Sequence, residues 1–434
     1  MSAGASTIAD ILAQHVEEAT DLRRLRSAQV RRPRVRLADL GRLDERIAAH
    51  LDGIAAAGGA GTALVQQALF ERPGVGEVFV ATVQAVEARD GAALERLLAI
   101  TQTLVPSRAG LLSALGWIGA GKLRGTVKAL LDAGDAWPRA AGLGACAMHR
   151  VNPGSALDQA LRDPDAGLRA RALHIAARLG RRDLLGACRN ALADPDPACA
   201  HAAAHSAVLL GDRSDALSVL ERVALDAPTA EPALAAWRLL LAALTPTQAH
   251  SILAGVARDP AQARAAIHGV AVAGNPHHVP WLIARMDDLA LARLAGDAFA
   301  CITGAELVPH RLERKPPPDE HPGPVDDDDD DSPSPESADN EIVPVDEDDD
   351  LPWPDAAKVA AWWDANAVRF EPGQRYLMGR VPTPAVCLDV LRDGTQRQRR
   401  AAADCLTLLA PGTPLFNTAA PAWRQAEWLA RHVV

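Results

Sequence analysis

Histidines, arginines and carboxylates at helical spacing are where chemistry could begin in this 434-residue chain. His201 and His205 stand four apart with Cys199 beside them, so both imidazoles share one helix face and could ligate zinc. The zincin pattern requires a glutamate next to the first histidine, and Ala202 stands there instead. The pair therefore reads as two polar residues at a helix–helix seam. His277 and His278 are neighbours in a proline-flanked turn and face apart. Arg392, Arg397, Arg399 and Arg400 form the densest basic cluster of the second half. They cannot all share one helix face, so at least one is expected to pair with a carboxylate between repeats. Trp353, flanked by prolines beside an acidic run, is a candidate anchor for a partner. Gly58-Gly59-x-Gly61 follows a helix and lacks the P-loop lysine. The sequence offers no nucleophile–base or paired-acid constellation, and the expectation is no catalytic residue, no metal and no cofactor.

The elements that must position these residues come in repeats. Asp163-Pro164-Asp165 recurs 31 residues later as Asp194-Pro195-Asp196, and Gly180 recurs at the same interval as Gly211. Between each DPD and its glycine runs an Ala- and Leu-rich stretch of helical period: Leu168, Ala172, Ile175 and Ala176, then Cys199, Ala203, Ser206 and Ala207. Proline stops the incoming helix. The first aspartate is expected to cap the next helix, and the second to add charge at its positive end. Glycine suits the left-handed position past the helix end. Each unit reads as a helix pair that cannot bury its apolar face alone, which makes the fold class all-α, an α-solenoid.

Composition supports this, since Ala, Leu and Arg dominate while only one Tyr and five Phe occur. The six cysteines are scattered without CxxC, as expected of reduced thiols in a cytoplasmic protein. No stretch resembles a secretory signal or a membrane span. The net charge of −10 conceals an asymmetry: residues 316–350 hold 16 acids and no Lys or Arg, leaving +6 for the rest. The division expected is an N-terminal helical cap (1–60), the solenoid (61–308), a disordered acidic, proline-rich loop (309–352) and a C-terminal helical region that resumes the repeat and caps it (353–434). The acidic loop is either a solvated spacer or a shield over basic helix faces.

The DPD units, with Arg169, Arg171-Ala172 and Gly180, resemble short HEAT-type repeats of the bilin-lyase kind. Further motifs carry a second resemblance: Leu351-Pro352-Trp353-Pro354 with Trp362-Trp363, Gly373-Gln374-Arg375-Tyr376-Leu377-x-Gly379, Arg397-Gln398-Arg399-Arg400-Ala401, and Pro411-Gly412-x-Pro414-Leu415-Phe416. Over nearly the full length the chain resembles a bacterial, HEAT-like helical-repeat family of unassigned activity, often encoded among type VI secretion genes. That resemblance implies a non-catalytic protein-binding scaffold, an adaptor or chaperone for a type VI secretion spike, adaptor or effector. The alternatives are a nucleic-acid-binding, DNA-glycosylase-like HEAT protein and a bilin-lyase-like enzyme. The overall charge and the acidic insert argue against nucleic acid.

Overall fold

A computed structural model describes residues 3–226, 231–317 and 348–432. They contain α- and 3₁₀-helices and three isolated β-bridges but no β-strand, so the fold is all-α and of solenoid type. No described helix is long and apolar enough to cross a membrane. The chain divides into two units: unit 1 is residues 1–245 with 382–434, and unit 2 is residues 246–381.

Unit 1 begins with the long α1 (Ala3–Gln29), then α2 (Leu37–Ala56), α3 (Gly59–Glu71), α4 (Val75–Glu87), α5 (Gly91–Thr103) and α6 (Arg108–Trp117). Four helix pairs follow: α7 (Thr126–Leu131) with α8 (Ala136–Met148), α9 (Ser155–Ala160) with α10 (Ala166–Arg178), α11 (Leu185–Asn190) with α12 (Pro197–Leu209), and α13 (Asp215–Asp226) with α14 (Glu231–Ala243). The second members stack in series, α4 on α6, α6 on α8, and so on to α14. Alanines allow their close approach: Ala172, Ala176, Ala203 and Ala207 are wholly buried along α10 and α12. Where a polar group enters this seam it is satisfied, as Ser206 Oγ donates to the Leu173 carbonyl at 2.7 Å.

The two aspartates of each DPD exchange the roles expected from sequence. The second one caps: Asp165 accepts from the Leu168 N–H (2.7 Å) and Asp196 from the Cys199 N–H (3.0 Å). The first folds the turn and ties neighbouring pairs together. Asp163 accepts from the Asp165 N–H and from Arg139, and Asp194 accepts from the Asp196 N–H and a two-pronged Arg169. The helices start at Ala166 and Pro197, so the N-cap falls on the second aspartate and the first lies two positions too early. Arg139 and Arg169 each sit four residues past the N-cap (Asp135, Asp165); Ala200 takes that place after Asp196, and the ladder of ion pairs stops.

Unit 2 contains α15 (Pro246–Val256), α16 (Ala263–Ala273), α17 (Val279–Arg285), α18 (Leu289–Thr303) and α19 (Ala356–Asn366). Asp288 caps α18 and Asp355 caps α19, while Gly274 and Gly304 end α16 and α18 in left-handed geometry. Residues 370–380 run against those two glycines: the Tyr376 N–H donates to the Gly274 carbonyl (2.8 Å) and the Met378 N–H to Cys301 (2.7 Å). Residues 309–317 and 348–352, the flanks of the loop expected over 309–352, are also built into this unit. Leu312 and Leu351 are buried, the Arg314 N–H donates to the Trp353 carbonyl, and Asp348 pairs with Arg264 at 2.7 Å. Residues 318–347, with the acidic run and any shielding by it, lie outside the described residues.

The chain then returns to unit 1 through α20 (Pro384–Asp393), α21 (Gln396–Leu409) and α22 (Ala422–Ala430). The returning segment does more than lengthen the row. Helix α21 lies against α12 and α14, and α22 lies against α2. The loop after α21 meets the repeat turns: Gly180 has φ of +66°, and a side chain there would collide with the Gly412 carbonyl. Arg26 ties the ends together, pairing with buried Asp44 and donating to the Ala419 (3.0 Å) and Ala420 (2.9 Å) carbonyls.

Candidate functional site

A cavity of ≈810 Å³ lies in unit 1 among the second helices, α21 and residues 415–419. Helical periodicity builds its wall. Arg171, His174 and Arg178 follow at i, i+3 and i+7 on α10, and Ala198, His201 and His205 repeat that spacing on α12. Arg238 enters from α14, and Arg400 and Asp404 from α21. The opposite face of α10, with Leu168, Ala172 and Ile175, is buried. The three histidine rings converge: His174 and His205 centroids are 5.1 Å apart, and His174 and His201 6.3 Å.

The site is strongly unbalanced in charge. Its lining includes Arg31, Arg150, Arg171, Arg178, Arg238 and Arg400 against the single carboxylate of Asp404. Burial, with the charges of Arg178, His201 and Arg171, pulls His174 down to about 4. His205 is held well below its ordinary value by burial and its basic neighbours, and His201 is lowered by burial. All three imidazoles are therefore neutral near pH 7. Arg178 is exposed in the cavity, yet the protein around it desolvates its charge and lowers its pKa, with Arg171 adding to the effect. Asp404 is pushed up to about 6 by burial, which outweighs the opposing pull of Arg238 and Arg400.

Several polar groups here are left without partners. Arg171 and Arg178 make no hydrogen bond among the described residues. The Nε of Arg238, Nε2 of His201 and Nδ1 of His205 are buried and unbonded. Cys199 is not part of the cluster: it is buried at the α10–α12 seam, its Sγ meets the Ala166 carbonyl at 3.2 Å, and burial lifts its thiol to about 11. Among the described residues no group of three or more His, Cys, Asp or Glu could hold a metal ion.

The candidate residues drawn from sequence are dispersed. Trp353 belongs to unit 2, is only 6% exposed, and carries the guanidinium of Arg293 (4.9 Å) and that of Arg314 (5.6 Å) over its ring, so it is core and no surface anchor. Arg399 is wholly buried; it donates to the Leu391 carbonyl (2.8 Å) and to the Gln396 and Gln425 amides, not to a carboxylate. Arg392 pairs within its own helix with Asp389 at 3.3 Å, and the half-buried Arg397 donates its backbone N–H to the Pro33 carbonyl. Arg400 alone reaches the cavity, where it also donates to the Arg31 carbonyl at 2.9 Å. His201 and His205 were legible as a pair; Arg171, His174, Arg178 and Arg238 were signalled only by the i, i+3, i+7 polar face that each repeat keeps opposite its apolar one. His277 and His278, read as facing apart, both approach His250 in unit 2, with ring centroids at 5.0 and 5.1 Å.

A second feature of unit 1 is apolar. Val65 and Leu69 of α3, Ala81 of α4, and Leu97 and Ile100 of α5 line a groove of ≈380 Å³. Phe70 stands in its wall with 90% of its surface exposed.

Stacked helix pairs with capped turns define the class: a HEAT-like helical-repeat protein. Residues 154–240 match the family described as HEAT repeats, a span running from the turn before α9 to α14. That match takes in the two DPD units and adds the third pair, α13 with α14. No curated protein and no solved structure matches the chain.

Proposed function

We propose that the chain is a non-catalytic scaffold that binds another protein. The exposed Phe70 beside the α3–α5 groove carries this reading. A bare aromatic ring beside an apolar groove gives a partner both an anchor and a place to seat it. HEAT-like rows bury their own helices by packing apolar faces, and the groove offers the same surface to an amphipathic helix of a partner. The partner proposed from the resemblance of the 351–416 motifs is a type VI secretion spike, adaptor or effector, with this chain as adaptor or chaperone.

Mixing the purified chain with the type VI spike, adaptor and effector proteins should give a complex that co-elutes on size-exclusion chromatography. Phe70→Asp should weaken that complex by about 30-fold, roughly the 2 kcal/mol expected of an aromatic hot spot, without changing the far-ultraviolet circular dichroism. Failure of all three classes of protein to co-elute, or equal binding by Phe70→Asp, overturns the reading.

A further inference from the structure

The unit 1 cavity asks for a ligand on grounds independent of any protein partner. Three successive second helices, α10, α12 and α14, each point an unsatisfied nitrogen-bearing group at or into it: the guanidiniums of Arg171 and Arg178, the imidazoles of His201 and His205, and the Nε of Arg238. Three of these nitrogens, Nε2 of His201, Nδ1 of His205 and Nε of Arg238, are buried, and a folded chain rarely leaves buried polar atoms unpaired. Placing Arg171 and Arg178 together with no carboxylate between them is a cost that an anion would remove. Asp404 does not remove it, since it sits on α21 beside Arg238 and Arg400 and is itself drawn toward the neutral acid by burial.

We propose that this cavity binds a small phosphate monoester, its phosphoryl group gripped by Arg171, Arg178 and Arg238 and hydrogen-bonded by the neutral imidazoles of His201 and His205. The geometry favours a phosphoryl group over a carboxylate. Donors converge from three helices, and a tetrahedral dianion presents three oxygens in three directions, whereas a carboxylate presents two in one plane. Guanidinium forks suit phosphate oxygens, and neutral imidazoles add N–H donors without adding charge. Met148, Leu415 and Phe416 supply apolar wall for the organic part of the ester. The volume of ≈810 Å³ is within the range of small-molecule sites.

Isothermal titration of the full chain at pH 7.5 with phenyl phosphate, inorganic phosphate and succinate tests this. Phenyl phosphate should bind at one site, more tightly than inorganic phosphate and at least tenfold more tightly than succinate. The double variant R171Q/R178Q should lose at least 30-fold in phenyl phosphate affinity while keeping its unfolding midpoint. Independently of any variant, phenyl phosphate should protect Arg171 and Arg178 of the wild-type chain from phenylglyoxal, read by peptide mass spectrometry. Absence of phosphate binding, succinate binding as tightly, unchanged affinity in R171Q/R178Q, or no protection would each overturn the proposal. Phe70→Asp should leave phosphate binding intact, so the cavity and the scaffold reading fail or survive separately.

Discussion

His174 lies between Arg171 and Arg178 on its own helix and faces His201 and His205 across the α10–α12 seam, with Arg238 and Asp404 on the far wall. Its pKa falls to about 4 in the folded chain, chiefly through burial. The unfolded histidine, near 6.5, takes up a proton that the folded one refuses, so the stability it supports is complete above 6.5 and drains away as pH falls toward 4. The full loss is roughly 3 kcal/mol at 1.36 kcal/mol per pH unit. His205, shifted in the same direction, adds to it. Asp404 works the other way. Pushed up to about 6, it favours the protonated form when folded, so its carboxylate costs stability above pH 6 and that cost vanishes as pH drops. Two histidines outweigh one aspartate, and urea midpoints should decline from pH 6.5 to 4.5. His174→Gln should flatten that decline, and Asp404→Asn should raise the midpoint at pH 7.5 by about 2 kcal/mol in stability. A midpoint that holds steady to pH 4.5 would show these imidazoles to be freely solvated.

At the scale of the helix pair, the repeat was legible because local chemistry marks it. DPD, the apolar period and the closing glycine all act within one turn of the chain. The identity of the capping aspartate was misread, because it turns on where the helix starts, and a start two residues later moves the N-cap from the first carboxylate to the second. Removal of each aspartate separates the two roles. Asp196→Ala deletes a cap and should cost about 1 kcal/mol. Asp194→Ala removes the Asx turn and also takes the carboxylate from Arg169, which is only 18% exposed at its side chain and keeps just the Asp163 and Pro164 carbonyls, and should cost more, about 2 kcal/mol. Urea denaturation of both variants checks the order; a larger loss for Asp196→Ala would show that the cap outweighs the turn and the Arg169 pair together. The motif Gly373-Gln374-Arg375-Tyr376-Leu377-x-Gly379 shows the complementary limit. Its residues lie along the left-handed ends of α16 and α18, contacts 102 and 77 residues away in sequence (376 to 274, 378 to 301) that no local pattern announces.

At the scale of the chain, the return of residues 382–434 into unit 1 was the feature sequence could not disclose. Arg26, Asp44, Gln396 and Gln425 look like ordinary surface residues of amphipathic helices, and their burial becomes visible only once α1, α2, α21 and α22 are brought together. Helix α21 lies against α12 and α14 and supplies one wall of the basic cavity. The Arg26–Asp44 pair is the clearest handle on this closure. Asp44 is 1% exposed, accepts from Arg26, and takes the Ala422 N–H at 2.6 Å, so one carboxylate binds α1, α2 and the start of α22. Asp44→Ala leaves a guanidinium buried with only carbonyls for company and should destabilise unit 1 by about 3–5 kcal/mol, whereas Arg26→Met with Asp44→Leu, which removes both charges, should cost far less. Hydrogen exchange followed by mass spectrometry gives the localisation. In Asp44→Ala, exchange should accelerate in α1, α2 and α20–α22, while peptides from 246–381 keep their wild-type rates. Uniform acceleration across both units, or none in α22, would show that the closure does not hang on this carboxylate.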